Sequence, residues 1–99
     1  MYKEALMYAV ICFDQPRSPK LRDENRERHM AYLNDNVNKI VFAGPLKDDH
    51  GATSTGAIFI LNVETREEAE AFLHGDAFYT GGVYESTVIR PFRQVFPSA

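Results

Sequence analysis

Thiols are nearly absent from this chain. Cys12 is the only cysteine in 99 residues, so no internal disulfide can form and no cysteine-based zinc site can be built. It sits inside an apolar run, where a free cysteine behaves as a small hydrophobe. No pair of the three histidines has metal-ligand spacing, and neither a metal nor another cofactor is expected. No segment approaches the roughly 18 consecutive apolar residues of a membrane span. The opening Met1-Tyr2-Lys3-Glu4 lacks the long apolar stretch of a signal peptide. A cytoplasmic protein without membrane contact is therefore expected. An excess of positive charge is missing too. The formal net charge is −3, and the arginines at Arg22, Arg26 and Arg28 are interleaved with Asp23, Glu24 and Glu27. Binding to phosphate backbones needs a basic patch or stripe, which disfavours nucleic acid as a partner. There is also no internal repeat, linker or low-complexity tract.

What is present is ordinary for one folded domain: 44% hydrophobic and 25% charged residues. A domain of this size buries a modest fraction of its surface, so a partner chain would help it. Residues 5–13 are almost continuously apolar and rich in strand formers, and Asp14-Gln15-Pro16-Arg17 breaks the run. Ser18 followed by Pro19 reads as a hydroxyl cap with proline at the first helical position, opening a helix that runs to about Asn34 or Asn36. A short strand is expected from Lys39 to Ala43, closed by Gly44-Pro45. A polar loop follows over 47–55, then a third strand from Gly56 to Val63. Thr65 with Glu68 three residues on is a capping box, and the helix it opens ends near His74-Gly75. A connector from Asp76 to Gly82 leads into a last strand from Val83 to about Phe96, with Pro91 marking an edge or a bulge. The order βαββαβ is that of an α+β, ferredoxin-like domain: one antiparallel sheet with two helices on one face.

Two strands predict more than a monomer. A sheet with one wet face alternates apolar and polar residues, yet Ala57, Phe59, Leu61 and Val63 point one way while Ile58 and Ile60 point the other. The first strand behaves likewise. Two helices cover one face only, so the second exposes an apolar patch of the kind that marks an interaction surface. A homodimer through the helix-free sheet face is the expectation, since twofold dimers are the commonest oligomers.

On a helical wheel, Met30, Leu33 and Val37 form one stripe. Continued towards the N-terminus, that stripe meets His29, Arg26 and Arg22. A helix built only for stability carries apolar residues there, and charge is costly to bury unless paired. These groups should therefore line a wet pocket or meet carboxylates. An imidazole, whose ordinary pKa lies near neutrality, suits general acid–base work. The alternative is that His29 simply hydrogen-bonds at the end of the core. His50, in an acidic loop, and His74, at a helix C-terminus where a cation is favoured, read as structural or solvent-exposed.

Several pieces in fixed order resemble a known family. They are Arg26-Glu27-Arg28-His29-Met30-Ala31-Tyr32-Leu33, Ala43-Gly44-Pro45-Leu46, Gly75-Asp76-Ala77-Phe78-Tyr79, Gly81-Gly82-Val83-Tyr84-Glu85-Ser86 and Arg90-Pro91-Phe92. Over essentially its whole length the chain resembles the YciI-like (YCII-related) family. The resemblance implies a dimeric α+β barrel and an active site centred on a histidine and an aspartate, which by position are His29 and Asp76. It also implies proton-transfer chemistry on small oxygenated or chlorinated rings: one relative is a dehydrochlorinase and related barrels include muconolactone isomerases. Two positions depart from the family pattern. Ala77 stands where proline usually follows the aspartate. Ala57 stands where many members carry serine, so Ser54 or Thr55 would have to supply any hydroxyl.

The functional expectation is a small-molecule enzyme of lyase or isomerase type. His29 is its general base or acid, oriented by Asp76; Arg22 and Arg26 bind an anionic or phenolic oxygen, and Ser54 and Tyr84 line the pocket, with Tyr8 a weaker candidate. A cation caught by His29, Asp76 and a loop acid such as Asp49 is a minor variant. The competing expectation is a metabolite-binding or accessory homodimer that leaves its ligand unchanged.

Overall fold

Strand pairing decides which side chains meet the helices. A computed structural model describes residues 7–97; Ala5 and Leu6, expected to begin the first strand, lie outside the described residues. The elements are β1 (Met7–Asp14), α1 (Ser18–Asp35), a 3-10 turn (Val37–Lys39), β2 (Ile40–Lys47), β3 (Ser54–Leu61), α2 (Arg66–Gly75), α3 (Ala77–Thr80) and β4 (Tyr84–Phe92). All neighbouring strands are antiparallel and the sheet order is β2-β3-β1-β4, the ferredoxin-like arrangement expected from the element order. Among the described residues, no helix is long and apolar enough to cross a membrane.

One face of the sheet carries Val10, Cys12, Ala57, Phe59, Leu61 and Ile89, packed against Phe72 and Leu73 of α2. The opposite face presents Ile11 and Phe13 of β1, Ile58 and Ile60 of β3, and Phe42 of β2, which pairs with Ile60. Phe42 is 58% exposed there.

Several boundaries shift for physical reasons. β2 does not stop at Gly44-Pro45 but pairs through them, Gly44 with Ile58 and Pro45 with Ala57. It is an edge strand, and an edge strand tolerates a residue that cannot donate on its outer side. β4 ends at Phe92 rather than near Phe96, and β3 at Leu61 rather than Val63. Ser18 is not the cap of α1. The cap position falls on Arg17, which makes no side-chain cap bond, and Ser18 is buried inside the first turn with Pro19 beside it. The capping box of α2 forms as its sequence predicts: Glu68 N–H donates to Thr65 Oγ1 at 3.1 Å, and Thr65 N–H donates to Glu68 Oε1 at 3.0 Å. After α3, Gly82 turns the chain with φ of 80°, a left-handed conformation glycine adopts without strain.

Helix α1 departs most from expectation. Its buried residues are Ser18, Arg22, Asn25 and His29, spaced four, three and four apart and so on one face. Met30 (48% exposed) and Val37 (67%) do not belong to that face, while Leu33 is partly buried against the core. The buried stripe is polar over most of its length, which frees α1 from tight packing on the sheet.

Candidate active site

Because α2 packs on the apolar core and α1 turns a polar face inward, a cleft of about 580 Å³ opens between α1 and the β2–β3 half of the sheet. His29, Arg22, Arg26, Met30 and Leu33 line it from α1; Ala43, Pro45, Lys47, Ser54, Ala57 and Phe59 line it from the sheet. Asp23, Phe78 and Tyr84 also line it.

At its inner edge two distant stretches meet. His29 Nδ1 lies 2.6 Å from Asp76 Oδ1, although the residues are 47 apart in sequence. Asp76 is the hinge between α2 and α3 and is completely buried (0% exposed). Its Oδ1 also accepts the Phe78 backbone N–H at 3.2 Å, capping α3. When Asp76 is ionised its carboxylate can only accept; the proton of the His29–Asp76 bond then sits on Nδ1, and in the neutral ring Nε2 carries the lone pair. Nε2 has no partner among the described residues. The ring is clamped: it stacks on Phe78 with centroids 3.7 Å apart and planes 4° from parallel. Phe78 thus holds both members of the pair, His29 through its ring and Asp76 through its backbone. Sequence reasoning gave Phe78 no role; the only signal is an aromatic two residues beyond a capping aspartate.

Arg22 is buried as expected, but its charge is already engaged. Nε and Nη2 donate to Asp14 Oδ2 and Oδ1 at 2.8 and 3.1 Å, and Nη2 also donates to Gly56 O at 2.8 Å. The guanidinium sits 5.1 Å from the Phe78 ring centroid, within cation–π range. Asp14, read from sequence only as a turn residue, is thus the counter-ion of the site. Arg26 does not reach the packing face. It is exposed at the cleft rim and bound to Asp23 at 3.2 Å. Ser54 lines the cleft and accepts from Lys47 Nζ at 3.2 Å. Thr55 is exposed and not part of the lining.

Tyr84 reaches the site because β4 carries one extra residue opposite Phe13 and Asp14, pairing Tyr84 with Asp14. Its ring lines the cleft, edge-on to Phe78, while its hydroxyl, like Asp76 Oδ2, is buried without a hydrogen-bond partner among the described residues. Burial, reinforced by neighbouring Cys12 and Asp76, pushes the phenol of Tyr84 well above the ordinary tyrosine range; it stays neutral and is not a base. Burial likewise pushes the Cys12 thiol up to about 12, with Asp76 and Asp14 adding to the shift, so Cys12 is no nucleophile. Tyr8 packs against the core rather than lining the cleft. Asp49 stays in the exposed loop, and among the described residues no three metal-binding side chains converge.

The family model described as the YCII-related domain matches residues 6–93. The protein YciI of Escherichia coli O6:H1 is 31% identical over 98 residues, covering 92% of this chain and 100% of its own. A Haemophilus influenzae protein is 28% identical over the same span, again 92% and 100%. Among solved structures, 5-chloro-2-hydroxyhydroquinone dehydrochlorinase (TftG) from Burkholderia phenoliruptrix, in complex with 2,5-dihydroxybenzoquinone, superposes with a TM-score of 0.78 at 27% identity, covering 85% of this chain and 90% of that one. PA3566 from Pseudomonas aeruginosa shares the fold alone, with a TM-score of 0.57 at 10% identity over 96% of this chain and 98% of its own.

Proposed function

The chain belongs to the YCII-related domain family, and from that membership and the site geometry we propose that it is a small-molecule enzyme using His29 and Asp76 for general acid–base chemistry on small oxygenated or chlorinated ring compounds. One observation carries the reading: a buried carboxylate holds Nδ1 of a clamped imidazole, and that imidazole lines an open cleft. The dehydrochlorinase neighbour gives the chemical class its support. His29 Nε2 takes a proton from the ring compound, and Asp76 stabilises the imidazolium that forms. In an isomerisation the imidazolium returns the proton to another atom of the same molecule. In an elimination the electron pair released by the proton forms the new double bond as the carbon–chlorine bond breaks, and chloride leaves. Arg22 steadies the site through Phe78 and Asp14, and Arg26 and Ser54 meet the substrate's polar edge.

The test is turnover of a panel of hydroxyquinols, chlorohydroquinones and enol lactones by the wild-type chain and by His29→Gln. Turnover that disappears in the folded variant supports the proposal. Turnover unaffected by the substitution removes the catalytic role, and ligands bound but recovered unchanged leave a metabolite-binding protein.

The same reading includes a homodimer. The helix-free face is apolar and carries Phe13, Phe42 and Phe92 at its exposed positions, and a second copy of that flat face is its most economical cover. The wild-type chain is expected to sediment as a dimer at tens of micromolar. Phe42→Glu, at an exposed position, should give a folded monomer. A monomeric wild type, or a dimer indifferent to Phe42→Glu, rejects this interface.

A further inference from the structure

Three cations line the cleft, and two of them are already matched. Arg22 is bound to Asp14 and Arg26 to Asp23. Lys47 is the third. Its Nζ donates to Ser54 Oγ at 3.2 Å, and among the described residues no carboxylate lies within ion-pair distance of it. The adjacent Asp48 turns its carboxylate into its own loop, accepting the Ala52 and Thr53 N–H groups at 3.0 and 3.3 Å. Lys47 and Ser54 are direct partners across β2 and β3, so both stand on the sheet wall of the cleft. His29 and Arg22 occupy the helix wall. Between the two polar ends the lining is apolar, from Pro45, Ala57, Phe59 and Leu33.

This layout has two chemically different poles separated by a greasy middle. One pole is a proton-transfer nitrogen. The other is an exposed ammonium beside a hydroxyl; Asp48, the neighbouring carboxylate, acts on it only from beyond ion-pair distance, in a chain whose net charge is −3. An ammonium is a point charge that suits a single delocalised oxyanion better than the two-pronged fork of an arginine does, and a neighbouring hydroxyl can donate to the same oxygen. The apolar middle fits the face of a small unsaturated ring. We infer that the cleft takes a small planar oxyanion, with the anionic oxygen on Lys47 Nζ and Ser54 Oγ and the reacting atom at His29 Nε2. The inference rests on the acid–base reading above and adds Lys47 as the residue that selects for charge.

Calorimetric titration tests it with two probes of similar shape: 2,5-dihydroxybenzoquinone, which ionises to a delocalised oxyanion, and its uncharged dimethoxy ether. The wild-type chain should bind the dihydroxy compound about five- to tenfold more tightly, as a hydrogen bond to a charged group in a partly open site allows, and less so at high salt. Lys47→Met should erase that preference without weakening the dimethoxy ether, and Lys47→Arg should keep most of it. Equal binding of both probes, no binding of the dihydroxy compound at millimolar concentration, or a preference untouched in Lys47→Met overturns the inference. His29→Gln separates the two proposals: it should abolish turnover yet retain the charge preference, so acid–base chemistry and anion selection fail independently.

Discussion

Asp76→Asn is expected to lower kcat about 10²-fold without unfolding the protein, and Asp76→Ala to cost about ten- to a hundredfold more. Both hydrogen bonds to the aspartate arrive at the same oxygen. Oδ1 accepts from His29 Nδ1 and from Phe78 N–H, while Oδ2 has no partner among the described residues. An asparagine therefore places its carbonyl at Oδ1, keeps both bonds, and puts its amide nitrogen where Oδ2 was. The imidazole tautomer survives, and what disappears is the negative charge that stabilises the imidazolium. Exchanging a charge-assisted hydrogen bond for a neutral one is worth about 1.5–3 kcal/mol, which corresponds to roughly 10²-fold in rate. Alanine also removes the cap of α3 and lets the imidazole choose its tautomer. Because the pair acts as a unit, His29→Gln combined with Asp76→Asn should cost no more than His29→Gln alone. Steady-state kinetics on any substrate found by the panel reads all four variants. An Asp76→Asn variant as fast as wild type would mean that the carboxylate only caps a helix.

The elements of this fold were legible wherever a local device sets them. Thr65 and Glu68 announce the start of α2 because a capping box is satisfied within four residues. The uninterrupted apolar composition of β1 and β3 anticipates a sheet whose core face and open face are both apolar. The phase of α1 was not legible, because a wheel anchored on Met30, Leu33 and Val37 assumes that apolar residues mark the inward face. Here the inward face is Ser18, Arg22, Asn25 and His29, and hydrophobic periodicity carries no trace of a stripe held by hydrogen bonds and an ion pair. The same error brought Arg26 inward, one position round the helix from Asn25. His29 and Asp76 were paired by family resemblance rather than by pattern, since nothing local connects residues 47 apart. Asp14 and Phe78 stayed hidden for a related reason. Each acts through a tertiary contact, Asp14 across the β1–α1 turn and Phe78 by stacking, and neither contact has a spacing that a linear sequence displays.

Arg22→Met is expected to destabilise the domain by about 3–5 kcal/mol, and Arg22→Met with Asp14→Leu to restore most of that loss. The ion pair is nearly sealed from water, with side-chain exposures of 8% and 5%. Removing the guanidinium alone strands the Asp14 carboxylate, and the Gly56 carbonyl also loses its donor. An uncompensated buried charge costs far more than a pair replaced by apolar groups of similar volume. For a small domain with about 5–15 kcal/mol in total, the single variant loses a large share of its stability and the double variant does not. Urea midpoints at one fixed protein concentration measure both, since a dimer's stability depends on concentration. The double variant also separates the two roles open to Arg22. Two of its three guanidinium nitrogens, Nε and Nη2, are committed to Asp14 and Gly56, which leaves Nη1 as the atom available to a substrate. If Arg22 chiefly braces Phe78 and the β1–α1 turn, the refolded double variant should keep kcat and KM near wild type. If Nη1 binds the substrate, kcat should hold while KM rises about tenfold, the signature of lost uniform binding. A double variant no more stable than the single would show that the arginine is needed in its own right, and that the pair is not the source of the cost.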